Sequence, residues 1–302
     1  MRRSSPTRPT THHRLLMRPR RTNVGRYRTE RPTTCIQPIA LRDNHRQMTT
    51  FYLGTHVPNW LWRTDVRHPL FVSNRTLGKY KKLKKANVRW CLDSGGFTEL
   101  GMFGTWLTTA YQYVQNVARY WDEVGSMDWA SPQDWMCEPQ MLKKTGKTVT
   151  EHQHLTCHNF VLLQQLAPHL PIIPVLQGWM PDDYLKHAKM YADYGVGLDE
   201  KPTVGVGSVC RRAKVDGMKQ VFSDLNKDGL RLHGFGLKQD GIKLFGNNLK
   251  SSDSMAWSFG ARMAGRKGIY SCGKKHETTK NCANCIDWAQ MWADKVSTIG
   301  EQ

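Results

Sequence analysis

The feature that most constrains this chain is a repeated alternation. From Met48 onward, short apolar runs with strand character are separated by stretches of helical period. Strand character falls at 51–57, 88–93, 126–130, 171–177, 203–209, 231–236 and 252–257. Helical spacing puts Tyr111, Val114, Ala118 and Trp121 on one face of 108–123. It does the same for Leu185, Ala188 and Tyr191 in 182–194, and for Met218, Val221, Phe222 and Leu225 in 215–227. Parallel strands need long crossovers, usually helical, so this alternation predicts an α/β fold with a mostly parallel sheet. Seven visible strands suit a (β/α)8 TIM-like barrel better than a small open sheet; a doubly wound sheet is the alternative. The stretch 131–152, between a strand and the next helix, reads as a long functional loop.

The expected organisation has three parts: a basic leader or arm over 1–47, the barrel over 48–270, and a zinc-binding segment with a last helix over 271–302. In that helix, 286–297, Trp288, Met291, Trp292 and Val296 share one face. The leader is rich in Arg, Thr and Pro and has no apolar period, so it cannot support a packed core. Three readings of it stay open: a DNA-binding arm, a targeting peptide, or sequence upstream of the true start at Met48.

Charge narrows the partner. The net charge is +19. The leader carries twelve Arg and no Lys against Glu30 and Asp43, which accounts for ten of those charges and leaves nine on the remainder. The body is therefore basic in its own right and suits a polyanion, nucleic acid above all. Lysines in 79–85, with Arg211, Arg212, Arg262, Arg266 and Lys267, are candidate phosphate contacts. No apolar run approaches the roughly 18 residues of a membrane helix, and no secretory signal is visible. The expectation is a cytoplasmic protein with no membrane partner.

Several strand ends carry side chains suited to base and sugar chemistry. Asp93-Ser94-Gly95-Gly96-Phe97 follows the run VRWCL directly. A carboxylate at a strand's carboxyl end lies where barrel proteins build their sites; the glycines allow close approach of a flat ligand, and Phe97 could stack on it. An ordinary strand-to-helix turn is the plainer reading. Asp128 and Asp134 flank an aromatic-rich loop, where a carboxylate could accept the N–H pair of a guanine-like base edge and Trp129 or Trp135 could stack. Gln177-Gly178 ends the run IIPVL, and an amide offers a donor and an acceptor together. Gly205-Val206-Gly207-Ser208 could present backbone N–H groups. Asp253 lies in a late strand and could be a buried nucleophile, or a helix cap. Asp253 and Asp93 together would supply an attacking carboxylate and a proton carrier, the pair that glycosyl transfer needs.

Eight cysteines without a secretory context argue against a disulfide framework. Five are scattered. The other three, Cys272, Cys282 and Cys285, fall with His276 inside fourteen residues. Three thiols and an imidazole at that spacing match a closed tetrahedral zinc site. With four protein ligands no position remains for a water, so the metal is expected to be structural.

These segments occur in the order seen in tRNA-guanine transglycosylases, and the chain resembles that superfamily over roughly residues 50–290. The resemblance implies Asp253 as nucleophile and Asp93 as general acid and base. It implies base recognition by Asp134 and Gln177, helped by backbone in the 205–208 turn, with Phe97 stacking on one face. His233 stands where an apolar residue is expected on the other face. Four departures point away from the tRNA enzymes. The ligand order is Cys, His, Cys, Cys; His233 is polar; Thr98 follows Phe97 where Gln is usual; and the chain past Met48 is short. These features look like the DNA-guanine transglycosylase branch, which places 7-cyano-7-deazaguanine or a relative into phage and bacterial DNA. The implied partners are DNA, a 7-deazaguanine base and accessory proteins. Rival readings are a tRNA enzyme of the same chemistry, a zinc-containing binding protein without catalysis, and a barrel acting on free nucleosides.

Overall fold

The computed structural model describes residues 50–209, 217–277 and 279–298. The leader, Cys210, Arg211 and Arg212 lie outside the described residues. Eight parallel strands make one sheet: β1 Thr50–Thr55, β2 Leu70–Ser73, β3 Trp90–Asp93, β4 Met127–Ala130, β5 Val175–Leu176, β6 Val204–Val206, β7 Leu232–Gly234 and β8 Ser251–Ser254. Their order is β4-β3-β2-β1-β8-β7-β6-β5. The two ends meet through a parallel bridge between Ala130 and Ile172. Ala130 N–H donates to Pro171 O, and Ile173 N–H donates to Ala130 O. The sheet thus curls into a barrel, the predicted (β/α)8 class.

Among the described residues ten α-helices accompany the strands: α1 Asn74–Leu77, α2 Gly96–Phe103, α3 Ala110–Glu123, α4 Pro139–Thr145, α5 Val149–Leu166, α6 Pro181–Asp193, α7 Met218–Lys227, α8 Gln239–Phe245, α9 Ala256–Gly265 and α10 Ile286–Ser297. The ends of α3 and α5 have local causes. Thr109 and Thr148 each cap a helix, with Gln112 and Glu151 returning the bond to the cap backbone.

Several expectations need correction. The buried face of α3 is Tyr113, Val114, Val117 and Tyr120, and Tyr111 and Trp121 are exposed. The strand β2 escaped the sequence pattern, because LFVS is only four residues long and follows the turn-rich stretch 63–69. The predicted loop 131–152 contains α4 and the start of α5. The run 252–257 is a strand only as far as Ser254, after which α9 begins.

Side-chain parity links the fold to the site. Alternate residues of a strand face opposite sides. Leu53, Leu70, Val72, Leu92, Val204 and Leu232 face outward into the layer shared with the helices. Tyr52, Cys91, Trp129 and Ile173 face inward and fill the barrel, with Phe71 and Phe235 against them. Helix α10 closes against β1, where the Phe51 and Trp292 rings lie 5.8 Å apart.

Candidate active site

Toward their carboxyl ends, above the inner aromatic layer, several strands again point a side chain or a glycine inward. This parity places Ser73, Asp93, Gln177, Gly207, Phe235 and Asp253 around one cavity of about 260 Å³. It lies at the barrel face where the fold leaves variable loops free to build chemistry.

Asp93 is held by the Ser73 hydroxyl and the Gly95 N–H. Gly95 adopts φ 88°, a left-handed conformation that a side chain would strain, and it caps α2. Burial raises the Asp93 carboxyl above the usual carboxylate range, and the charge of Asp253 adds to the rise. Asp253 is 5% exposed and accepts from Gly236 N–H at 2.9 Å and from His233 Nε2 at 3.2 Å, both on Oδ1.

On the opposite wall, Gln177 Nε2 donates to Asp134 Oδ2 at 2.5 Å. The Ser94 hydroxyl points at Asp134 Oδ1 from 3.5 Å. Burial pushes the Asp134 carboxyl up to about 7; the bond from Gln177 opposes the rise and the charge of Asp93 adds to it. Ser208, at the unusual φ of 56°, donates to Gln177 Oε1 at 2.7 Å and accepts from Cys137 N–H at 3.0 Å. Its oxygen also lies 2.8 Å from Glu138 Oε2. A non-glycine residue held at positive φ in a site is strain that the surroundings must support.

Two glycines make room for this wall. A Cβ on Gly207 would fall 2.2 Å from Gln177 Nε2, and one on Gly205 would fall 2.4 Å from Phe235 Cε2. Gly207 lines the cavity; Gly205 lies beneath the Phe235 ring. Gly178 packs against Asp183 and Tyr184 instead. Phe97, 60% exposed, stands at the mouth.

The structure moves several candidates away from the cavity. His233 is fully buried beneath Asp253 and presents no face to a ligand. Phe235, two residues on and of the same parity, is the apolar wall there. Asp128 lies at the start of β4, at the other end of the barrel, bound by Tyr52 and Arg89. Trp129 fills the barrel, and Trp135 packs on His152. The 79–85 lysines follow the last turns of α3: Lys85 Nζ donates to Asp122 O, and Arg119 donates to Tyr80 O and Lys81 O. That surface leads to the strands' amino ends, away from the mouth. Met136, Glu138 and Met255 also line the cavity and were missed. A loop brings in Met136 and Glu138 with no strand period to mark them, whereas Met255 directly follows β8, two residues beyond Asp253.

Cys272, His276, Cys282 and Cys285 offer ligand atoms that all lie within 4.8 Å of one another. Cys272 Sγ lies 3.4 Å from His276 Nε2 and 3.5 Å from Cys282 Sγ, and His276 Nε2 lies 3.2 Å from Cys282 Sγ. Metal–ligand bonds of about 2.0–2.3 Å in a tetrahedron give edges of about 3.3–3.8 Å, close to these separations, so the donor set fits a metal ion. Cys285 Sγ also accepts Trp288 N–H at the start of α10. Ser258 on α9 donates to Ala283 O in the knuckle, and Asn284 bonds His56 just beyond β1. The cluster thereby ties α9, α10 and the rim of the barrel together.

Fold and cavity define a (β/α)8-barrel protein whose candidate site lies at the carboxyl ends of its strands, with an appended Cys/His cluster that could hold a metal ion. The family model DpdA, DeoxyPurine in DNA protein A, matches residues 47–302, and the chain belongs to that family. Membership supports a transglycosylase-like role on guanine in DNA. No curated protein matches the chain. Among the described residues no helix is long and apolar enough to cross a membrane.

Proposed function

We propose that the protein exchanges guanine in DNA for a 7-deazaguanine such as 7-cyano-7-deazaguanine through a covalent intermediate on Asp253. The observation that carries this reading is the shared cavity. Two carboxylates, the half-buried Asp93 and the buried Asp253, face it together with the amide–carboxylate pair Gln177–Asp134. Asp253 attacks C1′ of the deoxyribose as guanine departs. Asp93, whose burial favours its protonated form, supplies the proton to the leaving base. The 7-deazaguanine then occupies the same place, gives its N9 proton to Asp93 and displaces Asp253. Two-step covalent exchange of this kind runs with ping-pong kinetics.

Asp134 and Gln177 suit the polar edge of a guanine-like base: a carboxylate accepts paired N–H donors, and an amide both donates and accepts. Phe97 and Phe235 supply aromatic surface on the cavity wall. A guanine inside a duplex cannot reach such a cavity, so the target nucleotide is flipped out or single-stranded. Zinc is the metal we assign to the Cys/His cluster. Four protein ligands leave no place for a reacting water, so its contribution is to hold α9 and α10 on the barrel.

The test is nucleoside mass spectrometry after incubating the protein with DNA or tRNA and 7-cyano-7-deazaguanine. The modified deoxynucleoside should appear in DNA, and Asp253→Asn should abolish it without loss of DNA binding. Full activity in that variant overturns the nucleophile assignment; product only in tRNA moves the substrate.

A further inference from the structure

Asp253 has two carboxylate oxygens, and the structure treats them differently. Oδ1 accepts Gly236 N–H at 2.9 Å and faces His233 Nε2 at 3.2 Å. Among the described residues no donor falls on Oδ2. His233 in turn places Nδ1 2.9 Å from Ser251 Oγ. The strands dictate this arrangement. His233 on β7 pairs in register with Ser251 on β8, and Asp253 lies two residues further along, on the same face.

The hydrogen bonds fix the tautomer. A carboxylate only accepts, so His233 Nε2 carries the proton, and Nδ1 accepts from the Ser251 hydroxyl. The ring cannot turn freely. Trp129 and Phe235 meet it edge-on at 4.6 and 4.7 Å between centroids, with Tyr52 and Phe71 each at 6.0 Å. The ring is fully buried, so it cannot serve as a surface for the base.

We propose that Ser251, His233 and Asp253 form a hydrogen-bonded chain that reserves Oδ2 for attack and makes Asp253 a competent leaving group in the second half of the exchange. This inference rests on the function proposed above. In the first step Oδ2 forms the bond to C1′, and the C1′–N9 electrons leave with guanine, which takes its proton from Asp93. Oδ1 is then the carbonyl oxygen of a glycosyl ester. In the second step N9 of the incoming base bonds to C1′ and gives its proton to Asp93. The C1′–Oδ2 electrons return to Asp253. Negative charge reappears on the carboxylate, and the two N–H donors on Oδ1 meet it as charge-assisted hydrogen bonds, stronger than those they make to the ester. His233 is a positioning residue, since it acts on the sugar only through Asp253.

The two steps give the test. Gln at position 233 can offer an amide N–H where His233 offers Nε2, whereas Asn reaches only as far as Nδ1 and Leu offers nothing. Rapid-quench measurement of the covalent protein–DNA adduct is compared in the wild type, His233→Gln, His233→Asn and His233→Leu. In the Asn and Leu variants the adduct should accumulate and its breakdown should slow about 10- to 100-fold, with KM for the incoming base unchanged. His233→Gln should recover most of the breakdown rate. Equal adduct breakdown in all four proteins, or equal slowing of formation and breakdown in a folded Asn variant, overturns the proposal. Absence of adduct and exchange in the wild type removes the function proposed above instead. In that case, or if the variants do not fold, the 15N spectrum of His233 in the wild-type protein decides the chain. A proton on Nε2 supports it, and a proton on Nδ1 overturns it.

Discussion

Gln177 Nε2 donates to Asp134 Oδ2 over 2.5 Å, and the carboxyl it meets is pushed up to about 7 by burial. A base that offers N–H donors to Asp134 needs the ionised form, because a protonated carboxyl loses one acceptor. Below about pH 7 the ionised fraction falls about tenfold per unit. Affinity for a guanine-type base should therefore fall as the pH drops through 7 and level off above it. Calorimetric titration of the free base on both sides of pH 7 checks this; a flat profile removes Asp134 from base recognition.

The same shift has a consequence for stability. The folded protein holds the Asp134 proton more tightly than the unfolded chain, whose carboxyl stays near the ordinary value of 3.8. The stability this gives is complete below the unfolded pKa and is lost as the pH rises through about 7. An amide cannot ionise. Asp134→Asn should thus unfold at a higher temperature than the wild type above pH 7, with the advantage shrinking toward pH 4. It should also bind the base less well. Thermal melts across that range measure the first effect, and a variant less stable at every pH contradicts the desolvation account.

Gly207→Ala tests the wall from its backbone side. Its Cβ would lie 2.2 Å from Gln177 Nε2 and 2.7 Å from Gln177 Cδ. Gln177 cannot yield cheaply, because Asp134 and Ser208 hold both ends of its amide. The amide should be displaced and KM for the base should rise by about 10- to 100-fold. The melting temperature should change little, since the loss falls on a cavity rather than on the core. An unchanged KM would place base recognition elsewhere.

How much of this was legible in the sequence depends on how local each signal is. Asp93 and Gln177 each end an apolar strand run, and Asp253 lies in a late one, so strand position alone placed them at the barrel mouth. The Cys/His cluster is confined to 272–285 and could be read as a unit. His233 was misplaced because it lies next to a glycine in a strand end and shares its parity with Phe235, so only the level along the strand separates the two. Counting two residues from His233 would have found the cavity wall. The start of helix α5 was hidden for a different reason. Its buried side includes His152, Gln153 and Thr156, so the apolar period is broken. Their polar groups are used: His152 Nδ1 lies 2.7 Å from Met136 O, and Gln153 donates to Gln177 O at 2.8 Å. Hydropathy cannot show a helix that packs by hydrogen bonding into the loops of a site.

Cys285 both faces the other three ligands and caps α10, and α10 covers β1 through Trp292 and Phe51. Without a metal, up to three thiols and an imidazole crowd within 4.8 Å with no charge to organise them. Metal binding and folding of this segment should be one event. Elemental analysis should find one zinc per chain, and Cys282→Ser should lower zinc content together with the melting temperature, by about 5–10 °C. Cys282 is the informative choice, since it is buried and touches both Cys272 and His276. Exchange activity should fall only as far as the folded fraction falls, because the cluster does not line the cavity. A folded, metal-free variant with normal melting would show that the cluster does not hold α10. Activity lost in a fully folded variant would give the metal a part in the chemistry.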